Sequence, residues 1–133
     1  MRGHGHGRFG RQRRGRQMLR PSLLLIMHES PAHGYELLER LKRFGLGDID
    51  PSLIYRALRE MEIDGLVRSQ WEEEKTQGPP RRVYTLTAAG DQILREHMRE
   101  LMTTRQQIDQ LLQAYEKHMA SSEGNFHNRQ KGE

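Results

Sequence analysis

The hydrophobic period of this chain changes twice, and few small folds accommodate both changes. Apolar residues recur at helical spacing up to Met61, alternate between Leu66 and Leu86, and return to helical spacing after Thr87. A lone two-stranded hairpin is marginal in water, so the alternating stretch must pack on the helices that precede it.

The punctuation divides the chain further. Leu19 to His28 predicts a short apolar helix, with Pro21 tolerated in its first turn and Ser30-Pro31 as its break. A second helix is expected from about His33 to Phe44. It carries Leu37, Leu38, Leu41 and Phe44 inward and Glu36, Glu39, Arg40, Lys42 and Arg43 outward, and Gly45 is its stop. A third opens at Asp50-Pro51, where Asp suits the N-cap and Pro the first helical position. It gathers Ile54, Ala57, Leu58 and Met61 on one face and ends at Asp64-Gly65.

Leu66 to Glu73 then reads as a strand, with Val67, Ser69 and Trp71 on one face and Leu66, Arg68 and Gln70 on the other. The turn is Lys75-Thr76-Gln77-Gly78-Pro79-Pro80, and Arg81 to Leu86 forms the return strand. Thr87 caps a final helix from about Ala88 to Met119, roughly 48 Å long. A core this small cannot bury a helix of that length. Leu94, Met98, Leu101, Ile108, Leu112, Tyr115 and Met119, with Arg105 interrupting, follow alternating steps of four and three. That is a heptad seam, so these seven residues are assigned to homodimerisation. Ile93, Met102 and Leu111 widen the stripe.

Charge is unevenly placed. Of 22 Lys and Arg, seven Arg lie in residues 1–20 with no acid, which leaves 15 basic against 18 acidic residues in the remainder. A cationic arm on a nearly neutral body suits a polyanion, nucleic acid first. Residues 1–17 are too polar to offset the entropy of ordering, and 120–133 read as a disordered tail for the same reason. The expected organisation is therefore an arm over 1–17, a DNA-binding domain over 18–87, a dimerisation helix over 88–119 and a tail over 120–133. The absence of Cys excludes disulfides and suits a cytoplasmic location. The longest apolar run, Leu23 to Met27, is far below a membrane span of ~20 residues, so no membrane partner is expected.

Three short helices followed by a hairpin is the winged helix-turn-helix order: a mainly α fold with a small β-hairpin, here extended by a long C-terminal dimerisation helix. In that class the third helix enters the major groove of double-stranded DNA and the hairpin touches its backbone or minor groove. The outer face of the third helix carries Ser52, Tyr55, Arg56 and Arg59, which can bond phosphates and base edges. The plainer alternative is that Arg56 and Arg59 pair with Glu60 and Glu62 on a solvated surface. Lys75, Arg81 and Arg82 cluster at the hairpin tip, beyond the Glu72-Glu73-Glu74 run.

The stretches His33-Gly34-Tyr35-Glu36-Leu37, Pro51 with Tyr55-Arg56-Ala57-Leu58, Gly65-Leu66-Val67, and Gly78-Pro79-Pro80-Arg81-Arg82-Val83-Tyr84 with Leu86-Thr87 and Gly90 together resemble the PadR family of transcriptional regulators. The resemblance covers about residues 18–119. It implies a winged helix with a C-terminal dimerisation helix, and a repressor relieved by a small-molecule effector or stress. By the same resemblance Tyr55 is the recognition-helix tyrosine, with Arg56 and Arg59 at neighbouring exposed positions. Arg81 and Arg82 match the basic wing, and Tyr35 matches a second-helix tyrosine that either approaches DNA or packs. Leu53 departs from the pattern by standing where a small hydroxyl residue is common.

Other readings are weaker. Trp71 is better explained as packing surface than as a ligand-stacking group. His4 and His6 lack a Cys or carboxylate nearby to form a specific metal site, and no cofactor is assigned. No nucleophile, phosphate-cradling glycine motif or metalloprotease-type His pair points to an enzyme. The rivals are an RNA-binding protein that uses Arg8-Phe9-Gly10 and Arg14-Gly15-Arg16, and a protein-interaction module built on the same scaffold.

Overall fold

The computed structural model describes residues 17–72 and 80–131, with side chains described through Glu123. Most of the Arg-rich arm and the hairpin tip with Lys75 lie outside the described residues. The chain divides into two compact units, Met1–His97 and Met98–Glu133.

Within the first unit, helix α1 (17–29) leads into a two-residue strand β1 (Ala32–His33) and helix α2 (Gly34–Leu41). A single 3-10 turn (Lys42–Phe44) follows and closes on Gly45 at φ 75°. Helix α3 (Pro51–Ile63) begins as its sequence indicates: the Asp50 carboxylate accepts the Ser52 N–H at 3.0 Å, and Pro51 occupies the first turn. That hydrogen bond holds the Asp50 carboxyl below its ordinary range. The exit from α3 runs through Gly65 at φ 78°, a left-handed conformation that favours glycine.

The core is built from the predicted stripes. Leu23, Leu24 and Ile26 from α1, Leu37 and Leu41 from α2, and Ile54, Leu58 and Met61 from α3 are fully buried. Each such side chain contributes about 1.5–3 kcal/mol by leaving water, which outweighs the exposed ion pairs around it.

Strands β2 (Val67–Trp71) and β3 (Arg82–Leu86) pair antiparallel, with Val67 opposite Leu86 and Trp71 opposite Arg82. β1 adds to the other edge of β3, with Ala32 opposite Tyr84 and His33 opposite Val83. The sheet thus has three strands in the order β1-β3-β2, where the sequence predicts only a hairpin. Two residues cannot display a period, so β1 leaves no pattern to read. The expected packing role of Trp71 is also corrected. The inner face of β2 is buried at Val67 and half-buried at Ser69, but Trp71 is 60% exposed.

Helix α4 (Ala88–Lys131) starts at the expected cap. The Thr87 hydroxyl oxygen accepts the Gly90 N–H at 3.1 Å, and its proton is directed at the carbonyls of Gly65 (2.7 Å) and Leu66 (3.0 Å). One side chain therefore starts the helix and fastens it to the exit of α3. The helix does not stop at Met119 but continues to Lys131, into the stretch expected to be a tail. Polarity alone does not end a helix, and no proline occurs after Thr87. Leu94 is a second correction. It is only 5% exposed and belongs to the core of its own unit rather than to an open seam. Met98 and Leu101 are half-buried, whereas Ile108, Leu112, Tyr115 and Met119 are exposed, together with Met102 and Leu111. Among the described residues no helix is long and apolar enough to cross a membrane.

Candidate nucleic-acid interface

Helix α3 keeps Ser52, Tyr55, Arg56 and Arg59 in solvent on the face opposite its buried stripe. Its place is fixed by Ile54, Leu58 and Met61, so these four positions are held by packed backbone rather than by a loop. The plainer alternative for Arg56 is partly met: its Nε lies 3.6 Å from Glu60, which also accepts a hydrogen bond from Arg20 at 3.1 Å. These are exposed pairs, worth about 0–1 kcal/mol, whereas a bidentate base contact is worth about 1–3 kcal/mol. Glu62 is engaged elsewhere, accepting from the Ser69 hydroxyl at 2.7 Å, and among the described residues no ion pair engages Arg59. Leu53, the departure from the family pattern, is half-buried and lines an open hollow with Leu19, Arg20, Arg56, Ala57 and Glu60.

Tyr55 is 40% exposed, and the edge of its ring lies against the backbone of Gly34. A Cβ at position 34 would stand 2.7 Å from Tyr55 Cε1 and 2.9 Å from its Oη, so the glycine is what allows α2 and the tyrosine to approach. Tyr35 follows directly and is 50% exposed. Arg81 Nη1 donates to Tyr35 Oη at 3.0 Å, and its guanidinium lies 5.2 Å from the ring centroid. Across the pair of strands, the Arg82 guanidinium lies 5.0 Å from the Trp71 ring. Beneath, Tyr84 is buried at the centre of β3, and its burial pushes the phenol above its ordinary pKa of 10.0. Of the residues expected to contact DNA, the structure brings Arg81 onto Tyr35, sets Tyr55 against Gly34, and leaves Arg82 on the wing with Trp71.

One cluster escaped the sequence reading. His33 Nε2 lies 2.6 Å from Glu72 and Nδ1 lies 2.5 Å from Glu36, while its backbone N–H donates to Glu36 at 2.9 Å. Its ring stacks on Tyr35 at 5.5 Å. The carboxylates of Glu72, first, and Glu36 raise the imidazole pKa above 6.5, and Glu36 is lowered in return, chiefly by the His33 backbone N–H. Glu72 is 39 positions away in sequence, so no local spacing signals this cluster.

The sequence profile of the transcriptional regulator PadR-like family matches residues 23–96, a stretch that includes α2, α3, the whole sheet and the start of α4. The chain belongs to the PadR-like family of transcriptional regulators. It is 37% identical over 81 residues to transcriptional regulator Rv3488 of Mycobacterium tuberculosis, covering 59% of this chain and 73% of that one. Among solved structures it resembles the PadR-like transcriptional regulator BC4206 of Bacillus cereus, with TM-score 0.63 and 26% identity over 71% of this chain and 91% of that one. A PadR family transcriptional regulator of Eggerthella lenta is similar at TM-score 0.57 and 28% identity, covering 68% and 80%. PadR-like proteins are DNA-binding regulators rather than enzymes. The winged-helix reading and the family resemblance are therefore established.

Proposed function

We propose that this PadR-like protein is a sequence-specific repressor that binds an inverted repeat as a homodimer. The observation that carries the reading is the pair of contacts at the start of α2, where Tyr55 of α3 lies against Gly34 and Arg81 of the wing bonds Tyr35. Ser52, Arg56 and Arg59 lie exposed along α3 and Arg82 on the wing, and the sequence adds Lys75, outside the described residues, to the expected DNA-contacting set. On this reading α3 reads base edges in the major groove, with Arg56 as the principal reader, and the wing arginines hold phosphate. The N-terminal arm adds sequence-independent, salt-sensitive affinity.

Dimerisation is supported by Ile108, Leu111, Leu112, Tyr115 and Met119, an exposed apolar stripe at helical spacing on α4. A two-fold partner would set two recognition helices about 34 Å apart, one turn of duplex. Repression follows from occlusion of promoter DNA, and a small-molecule or stress signal that alters the dimer would relieve it. Sedimentation at micromolar concentration is expected to give a dimer; a monomer would remove the seam and the inverted repeat with it.

The direct test is fluorescence anisotropy on a duplex from upstream of the protein's own gene, beside a scrambled duplex and single-stranded RNA, at several salt concentrations. Preference for the native duplex that survives moderate salt is expected. Arg56→Ala should then cost about 1–3 kcal/mol on the native duplex and little on the scrambled one. Equal losses on both would assign Arg56 to phosphate rather than base, and preference for RNA would replace the DNA reading.

A further inference from the structure

His33 faces two carboxylates at once. A neutral imidazole has one N–H and can donate to only one of them, and ionised carboxylates only accept. Contacts of 2.5 Å to Glu36 and 2.6 Å to Glu72 therefore call for a proton on both ring nitrogens. The two acids are not equally dependent on that proton. Glu36 also accepts the His33 backbone N–H at 2.9 Å and lies 3.7 Å from Arg40. The Glu72 side chain has His33 as its partner among the described residues, while the Glu72 backbone N–H donates to Arg81 at 2.8 Å. Glu72 thus stands at the base of the wing, beside the residue that reaches Tyr35.

We infer that His33 is a positioning residue for the wing: as an imidazolium it ties the Glu72 end of β2 to the first turn of α2, and loss of its proton frees the Glu72 carboxylate beside the Tyr35–Arg81 surface and weakens DNA binding. The groups facing the ring are Glu36 and Tyr35 from α2, with Arg40 behind Glu36, and Glu72 from the end of β2. Val83 of β3 is its strand partner, and Arg81 and the α3 residue Tyr55 lie one contact further out. With the proton present, His33, Glu36 and Glu72 together carry one negative charge; without it they carry two. The added charge falls where phosphate must approach, so affinity moves in the same direction as the loss of the tie.

The sign is fixed by linkage. The folded-state pKa lies above 6.5, so the stabilisation by this cluster is complete below pH 6.5 and disappears as pH rises through the raised value. A duplex that prefers the imidazolium raises that value further, and each added unit corresponds to an affinity about tenfold lower at the alkaline end. The proposal rests on the DNA-binding reading, and its experiment separates the two.

The full-length protein would be titrated from about pH 5.5 to about 9. The histidine side chains would be followed by NMR, and affinity by anisotropy on the upstream and scrambled duplexes. The expected result is a His33 midpoint above 6.5 and a roughly tenfold fall in affinity across the same interval. His33→Asn, which keeps a residue suited to the α2 N-cap, should bind with that step abolished and an unchanged circular dichroism spectrum. Glu72→Gln keeps a hydrogen-bonding group without the charge, and should lower the His33 midpoint and shrink the step. Tight binding with no step overturns the proposal and leaves the DNA reading standing. A step that persists in His33→Asn also overturns it, since another group such as His4 or His6 would then be responsible. No duplex binding at any pH overturns both.

Discussion

Gly90→Ala is expected to destabilise the DNA-binding unit by about 3 kcal/mol or more, the upper end for overpacking in a filled core. The usual expectation for a glycine inside a helix is the reverse, since alanine gains up to about 1 kcal/mol there. Here the first turn of α4 lies directly on the base of the wing. A Cβ on Gly90 would stand 2.1 Å from the Leu66 carbonyl oxygen, 2.6 Å from Leu86 Cδ1 and 3.1 Å from the Leu66 carbonyl carbon. A side chain can turn away from such a contact, but Leu66 presents backbone. That backbone is also held on several sides. The Thr87 hydroxyl and the Thr87 N–H both reach the Leu66 carbonyl, and the Leu66 N–H donates to Met61 at 2.8 Å. Relief therefore requires α4 to move off the strand, which breaks the Thr87 cap. Thermal unfolding followed by circular dichroism should show a fall of roughly 12–24 °C in midpoint. A midpoint equal to or above that of the wild type would mean that helix propensity decides the sign and that the close approach of α4 to Leu66 is wrong.

Gly90 also shows how far the sequence can be read. Helix starts and stops are local chemistry, and they were legible: Asp50-Pro51 opens α3, Thr87 caps α4, and Gly45 and Gly65 adopt the left-handed turns expected at helix ends. The buried stripes of α2 and α3 follow from period alone, and so does the exposure of Ser52, Tyr55, Arg56 and Arg59. What period cannot show is which surface a stripe meets. Leu94 fits the heptad as well as Ile108 does, yet it is buried in the core of its own unit, because the first turns of α4 pack on that unit, while Ile108 is exposed. Nor can spacing show contacts between distant residues. Gly90 against Leu66, His33 between Glu36 and Glu72, and Arg81 on Tyr35 depend on the sheet, whose third strand is too short to leave a pattern. The His-Gly-Tyr run carried the family resemblance, but the reasons for its first two residues became visible only in three dimensions.

Gly34→Ala is expected to separate binding from folding. The added Cβ would meet Tyr55 at Cε1, Oη and Cζ, at 2.7, 2.9 and 3.2 Å, and no backbone is among those atoms. The ring end of an exposed tyrosine can rotate away, and alanine suits the first turn of α2 at least as well as glycine does. Stability should therefore change by less than about 1 kcal/mol, in contrast to Gly90→Ala, where the obstacle is backbone. Function should not be spared. Tyr55 would leave its place against Gly34, where α3 meets the first turn of α2. A loss of about 1–3 kcal/mol on the native duplex is expected, comparable to removing a base-reading contact. Tyr55→Ala should lose a similar amount, and the double variant should lose little more than either single one, because both changes remove the same contact. Additive losses would mean that Gly34 and Tyr55 contribute separately. Wild-type affinity in Gly34→Ala would show that the position of the Tyr55 ring is not needed to hold DNA, and would leave recognition to Arg56 and Arg59.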